Sequence, residues 1–156
     1  MRITTRGRYA LRASLAMAKL CSNEDGQTTP PAPVSVSTLS AEENVSSVFL
    51  EQIFFRLKKA GIVTSTRGPG GGFCFAQPLQ NITVKQILEA AGEDLDITFC
   101  DKSSDDCDRI GECLSHHVWV NANELVKNYF AEITLSSILE KYNSGETTNP
   151  EAEKHG

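Results

Sequence analysis

Cys100, Cys107, Cys113 and His116 follow one another with six, five and two residues between them. Three thiolates and an imidazole so close together form a soft donor set, suited to a thiophilic metal or an iron–sulfur cluster. The first two cysteines lie in an Asp- and Ser-rich stretch able to wrap around a centre. Cys113 and His116 lead into the apolar run Val118, Trp119, Val120. On a helix their i, i+3 spacing puts both side chains on one face. The residues alone leave three occupants open: an iron–sulfur cluster, a Cys3His zinc ion, or free or redox-paired thiols. Zinc sites usually contain a pair of ligands about two to four residues apart, and neither cysteine–cysteine gap here is that short. Cys21 and Cys74 stand apart, one at a helix end and one in a strand, and read as structural thiols.

The chain has 156 residues, 40% of them hydrophobic, enough for a core. No apolar run approaches the ~20 residues of a membrane span. The segment Met1-Arg-Ile-Thr-Thr-Arg-Gly-Arg8 lacks the apolar centre of a signal peptide. A cytoplasmic location is therefore expected, where five cysteines serve as ligands or reactive thiols rather than disulfides. The net charge of −5 hides an asymmetry. Residues 1–75 hold nine basic and five acidic side chains, a net of +4, and residues 76–156 hold six and fifteen, a net of −9. Such a division suits a protein of which one half faces phosphates.

The elements that must position these groups can be read in order. Residues 5–20 predict a helix with Leu11, Leu15 and Ala18 as its apolar stripe. Arg2, Arg6, Arg8 and Arg12 crowd its start, where the helix dipole does not favour cations, which points to an external anion as much as to a solvated basic face. Ser35 caps a short helix over 36–43, Asn44 ends it, and Ser46 caps a second helix from Ser47 to about Ala60. Leu50, Ile53, Phe54 and Leu57 face the core, leaving Ser47, Glu51, Gln52, Phe55, Arg56 and Lys59 outside. This is the pattern of a helix-turn-helix. Gln52 suits adenine, and Glu51 can only accept, as from cytosine N4.

Strand-like residues 62–66 and 73–76 flank Arg67-Gly-Pro-Gly-Gly-Gly72, a hairpin whose Arg67 and Gly70 tip reads as a wing with glycines for close approach to another surface. No G-K-[ST] follows, so a nucleotide loop is excluded. Thr83 and Gln86 form a capping box for a helix ending at Gly92. A long helix follows His116 to about Ala131, and Trp119, Leu125, Val126, Tyr129 and Phe130 predict an intermolecular seam along it. Thr134 caps a last short helix. No Ser/His/Asp arrangement is present, and the chain does not read as an enzyme.

With these elements assembled, the chain resembles the IscR-like, Rrf-type winged helix-turn-helix transcription regulators over roughly residues 1–142. The resemblance rests on Met1-Arg-Ile-Thr-Thr-Arg-Gly-Arg-Tyr-Ala, Leu50-Glu-Gln-Ile-Phe, Arg56-Leu-Lys-Lys-Ala-Gly and Arg67-Gly-Pro-Gly-Gly-Gly-Phe. Cys113-Leu-Ser-His116 before Trp119, and Ile133-Thr-Leu, complete it. It implies a mainly α fold with a small β-hairpin wing and a long C-terminal dimerisation helix. The winged helix-turn-helix occupies 1–80, the cluster loop and dimerisation helices 81–142, and a disordered tail 143–156. It also implies a homodimer on palindromic double-stranded DNA, and a 2Fe–2S cluster on Cys100, Cys107, Cys113 and His116. Arg2, Arg8, Ser47, Glu51, Gln52, Arg56, Lys59, Arg67 and Gly70 are the expected DNA contacts. Two departures stand out. The first Cys–Cys gap is one residue longer than in the family, and Asp101, Asp105, Asp106 and Asp108 surround the thiols, which should lower a cluster's potential. A cluster-free thiol- or zinc-dependent regulator and an iron–sulfur electron carrier or scaffold are the competing readings.

Overall fold

Two helices joined by a tight left-handed residue set up the N-terminal half of the computed structural model, which describes residues 1–21, 32–100 and 107–145. Helix α1 spans Thr5–Cys21, α2 Val36–Glu43 and α3 Ser47–Lys59. The Ser35 hydroxyl accepts from Thr38 N, and Ser46 accepts from Phe49 N, as their N-cap positions require. Asn44, at φ 52°, ends α2 and turns the chain, and Ser40 Oγ donates to Val45 O at 2.6 Å across that turn. Leu50, Ile53, Phe54 and Leu57 are fully buried, as their spacing predicts.

The buried face of α1 differs from the expected stripe. Ala10, Ala13, Ser14, Met17 and Ala18 are buried, while Leu11 and Leu15 are half-buried at the margin. The reason is position: α1 packs against α2, α3 and the two later helices α4 (Val84–Ala91) and α6 (Leu135–Asn143). A helix surrounded on several sides needs small residues to let its neighbours approach.

Strands β1 (Val63–Thr66) and β2 (Gly72–Phe75) pair antiparallel, Val63 opposite Phe75 and Thr66 opposite Gly72. A bridge between Val34 and Phe73, with both N–H···O bonds at 2.9 Å, ties the hairpin to the start of α2. Phe73 also packs on Phe54, with ring centroids 4.9 Å apart. Gly72 is required by this docking, since a Cβ there would lie 2.3 Å from Val34 O. This wing glycine therefore serves a close approach inside the protein, whereas the sequence suggested an external surface for the set.

After a 3-10 turn at Leu79–Asn81, α4 begins at the expected Thr83–Gln86 capping box. Helix α5 spans His116–Glu132, and α6 starts at a second capping box of Thr134 with Ser137. The two capped starts lie side by side, with Val84 N bonding Ile133 O at 2.9 Å and Leu135 N bonding Ile82 O at 3.0 Å. The main core accordingly draws Ile87, Ala91 and Leu135 from beyond residue 80, and a smaller cluster of Val84, Leu88 and Leu95 packs against Phe130, Ile133 and Ile138. Of the expected tail, Asn143 closes α6 and Ser144 caps it, while residues 146–156 lie outside the described residues.

One polar side chain organises the start of the fold. Glu93 is 7% exposed. Its carboxylate accepts Thr4 N at 2.9 Å, Gly7 N at 3.1 Å and the Thr4 hydroxyl. These are orphan donors at the N-terminus of α1, where a negative charge is favoured. Gly7 makes room for it, because a Cβ there would lie 2.5 Å from Glu93 Cγ. Burial pushes the Glu93 carboxyl upward, but the hydrogen bonds from Thr4 and Gly7 and the charge of Arg6 outweigh it, and the net shift is downward. A depressed carboxyl contributes stability above its unfolded value, lost as pH falls through the folded one. Glu93→Gln should therefore cost about 1.5–3 kcal/mol at neutral pH, with the gap to the native chain closing below about pH 4. Urea unfolding across that range checks it, and a pH-independent difference would refute the linkage.

Candidate nucleic-acid interface and cysteine loop

Helix α3 presents its outer face as the sequence predicts. Ser47 is half-buried at its first turn, and Glu51, Gln52, Arg56 and Lys59 are exposed. Glu51, Gln52 and Arg56 line a shallow groove of about 490 Å3 together with Val48, Phe55 and Arg6. Phe55 is 67% exposed, an apolar surface of the kind that meets thymine methyl groups. Lys58 is used internally, its Nζ donating to Ser65 Oγ at 2.5 Å and fastening the wing to α3. Arg67 and Gly70 are exposed in the turn of that wing, and open space surrounds Gly70 at φ 73°.

The basic start of α1 divides into exposed and engaged arginines. Arg2 is exposed, and Arg8 is exposed with Nη2 donating to Thr5 Oγ1 at 3.3 Å. Arg12 pairs with Glu43 at 2.7 Å and stands over the Tyr9 ring, 4.8 Å from its centroid. Arg6 turns inward, its Nε donating to Ala91 O at 2.5 Å. This end of the helix also meets an internal anion, Glu93, which bonds Thr4 and Gly7.

The cysteine loop is held at both ends by α5. Asn123, fully buried, accepts Ile97 N at 2.7 Å and Thr98 N at 3.4 Å on Oδ1, and donates from Nδ2 to Thr98 O at 3.0 Å. One turn on, Lys127 pairs with Asp96. Thr98 Oγ1 in turn accepts Cys100 N at 3.4 Å. The segment that delivers Cys100 is therefore pinned to the helix that begins with His116. Cys113 sits one turn before that helix, with His116 N bonding Cys113 O at 3.2 Å. Hydrogen bonding to the Ser115 hydroxyl, 3.3 Å away, and to its backbone holds the Cys113 thiol below its ordinary range. Cys107 is exposed, Cys100, Cys113 and His116 are half-buried, and the His117 ring lies 5.6 Å from that of His116.

The donor chemistry fits a thiophilic metal or cluster. The described residues hold the two ends of the loop, and among them no three His, Cys, Asp or Glu side chains converge as a metal site. Asp101, Asp105 and Asp106 lie outside the described residues. Cys21 does have a neighbour that the sequence did not reveal. Burial raises its thiol, and Cys74 adds to the effect, so the two cysteines share one half-buried region.

Sequence reasoning missed Asn123, Lys127, Glu93 and the inward role of Arg6. Asn123 did leave a signal, since it stands at helical spacing between the apolar residues Trp119, Val126 and Phe130. Of the residues read as an intermolecular seam, Phe130 packs inside the protein on Val84, Leu88 and Leu95.

Helix-turn-helix, wing and an outward face carrying Gln52, Arg56 and Phe55 define a DNA-binding regulator rather than an enzyme. The family model described as "Rrf2: Iron-dependent Transcriptional regulator" matches residues 3–141. The chain belongs to the Rrf2 family of transcriptional regulators. A protein of Neisseria meningitidis serogroup A, provisionally named an HTH-type transcriptional regulator, is 40% identical over 94% of this chain and 93% of its own. The HTH-type transcriptional regulator IscR of Photobacterium profundum is 35% identical over 92% of this chain and 78% of its own. Among solved structures, T. potens IscR superposes with a TM-score of 0.67 at 24% identity, covering 96% of this chain and 93% of that one, a likeness of fold. Among the described residues no helix is long and apolar enough to cross a membrane.

Loss of the Asn123 carboxamide should free the approach to Cys100. Asn123→Ala strips the Ile97 N–H and the Thr98 C=O of their partners, and should cost about 2–4 kcal/mol. Hydrogen exchange should quicken at Ile97 and Thr98 ahead of the α1–α3 core. Unchanged protection there would place the tether elsewhere.

Proposed function

We propose that the chain is a homodimeric cytoplasmic regulator that binds palindromic operator DNA and reports iron–sulfur or redox status through a 2Fe–2S cluster. Cys100, Cys107, Cys113 and His116 are its ligands. The observation that carries this reading is the double tether of residues 96–98 to Asn123 and Lys127. It fixes the run into Cys100 against the helix that starts at His116, so that all four donors hang between two ends of one joint. A bare surface loop needs no such anchorage. When bound, the cluster would supply a redox- and iron-sensitive crosslink across that joint. Its DNA contacts are Ser47, Glu51, Gln52, Arg56 and Lys59 on α3, Arg67 and Gly70 on the wing, and Arg2 and Arg8.

Anaerobic purification should yield a coloured protein with about two irons and two sulfides per chain. Cys113→Ala should abolish the visible absorption, while Cys21→Ala and Cys74→Ala should keep it. An intact spectrum in Cys113→Ala would sink the ligand assignment, and a colourless protein carrying zinc would transfer the site to that metal.

The homodimer is supported by the outer row of α5. Val118, Ala122, Leu125 and Tyr129 fall at i, i+4, i+7 and i+11, a seam-like repeat. Val118, Leu125 and Tyr129 are 59%, 71% and 62% exposed, although large side chains on an isolated surface helix are usually polar. Pairing along α5 would set DNA half-sites about 34–36 Å apart or a multiple of that. Removing the whole helix would be a poor test, because Leu135 beyond it is a core residue. Leu125→Glu combined with Tyr129→Ser should instead weaken dimerisation by roughly 100-fold or more in sedimentation, from the loss of apolar burial. A variant as dimeric as the native chain would exclude this seam.

A further inference from the structure

Three parts of the chain meet at the last turn of α4. Arg6, from α1, donates Nε to Ala91 O at 2.5 Å. At the next residue, Gly92, an added Cβ would lie 3.2 Å from Arg6 Nη2 and 3.3 Å from Arg56 Nη1. One guanidinium from α1 and one from the DNA-reading helix therefore rest on the same point of backbone. Both line the groove that also holds Glu51, Gln52 and Phe55. Among the described residues no carboxylate lies within ion-pair distance of either. Glu93 adjoins Arg6 and offsets part of its charge, yet its oxygens are committed to Thr4 and Gly7.

Two cations held side by side repel each other, and an anion arriving between them turns the repulsion into attraction. Guanidiniums offer paired N–H donors that match a phosphate oxyanion. A phosphate contact directly beside base-reading side chains is what sets a helix in register on a duplex.

We propose that Arg6 and Arg56 form a two-guanidinium clamp on a single backbone phosphate of DNA, and that Glu93 is the residue that positions it. Glu93 touches no DNA. It holds the first turn of α1, and through that turn the reach of Arg6 over Gly92. The proposal rests on the DNA-binding reading of the chain and needs no cluster.

The test uses the full chain and a mixed-sequence duplex, because a phosphate contact carries no sequence information. Affinity is measured against salt concentration for Arg6→Gln, Arg56→Gln, the pair together and Glu93→Gln, at a temperature where melting shows each variant folded. Each arginine variant should bind roughly tenfold more weakly. In the double variant the log–log salt slope should fall by about one phosphate in total. An unchanged slope, or a fall of about two, would overturn a shared clamp. Glu93→Gln should weaken binding about three- to tenfold in the native background. It should add nothing once both arginines are gone, whereas an equal loss in both backgrounds would make Glu93 merely structural and remove its positioning role. Inorganic phosphate titrated at constant ionic strength should not displace the duplex, and displacement that needs Arg56 would assign the clamp to a free anion instead. A native chain that binds no duplex even at low salt would overturn the DNA-binding reading together with the clamp.

Discussion

The N-terminus of α1 leaves backbone N–H groups without partners inside the helix, and a carboxylate from far along the chain satisfies them. Glu93 reaches Thr4 and Gly7 from the residue just past Gly92, where α4 ends. The contact joins the first helix of the DNA-reading half to the first residue of the segment that runs toward Cys100. Its cost in space is met by Gly7, since no side chain fits between that backbone and the Glu93 methylene. Around this junction the arginines sort themselves: Arg6 bends back to Ala91, Arg12 pairs with Glu43, and Arg2 and Arg8 remain toward solvent. A basic cluster that reads uniformly in sequence is thus divided between groups the protein itself engages and groups left to solvent.

Helix α5 shows the opposite economy of polarity. Its one fully buried residue is Asn123, a polar group, and several of its large apolar side chains are exposed. A buried carboxamide is tolerated because all three of its bonds to residues 97 and 98 are made. An exposed row of Val118, Leu125 and Tyr129 is tolerated where a second surface covers it. The helix thus faces the cysteine loop with hydrogen bonds and presents an exposed apolar row outward.

The two halves also differ in charge. Residues 1–75 carry a net +4, with five basic and no acidic side chains in residues 1–21, and residues 76–156 carry a net −9. Long-range repulsion from a phosphate backbone therefore favours docking by the N-terminal face alone. Inside that face Glu51 shares its groove with Arg6 and Arg56, so an isolated carboxylate is placed where cations can offset its approach to a duplex.

Local chemistry made most of the architecture legible in the sequence. Ser35, Ser46, Thr83 and Thr134 each cap a helix where their hydroxyls predict it, and Asn44 and Gly92 end two helices in the left-handed region. Leu50, Ile53, Phe54 and Leu57 announce the buried face of α3 by period, and by exclusion the outward face of Glu51, Gln52 and Arg56. Such signals act within a few residues, so a sequence carries them without knowing the fold. Contacts between distant residues carry no such period. Glu93 lies 86 residues from Gly7, and Asn123 lies 25 from Thr98. Only packing decided that α1 would bury its alanines rather than Leu11 and Leu15, that Gly72 would serve Val34, and that Arg6 and Arg56 would meet over Gly92. Capping and periodicity are local energies, settled by neighbours in the chain, whereas these choices depend on which helix faces arrive at the same place.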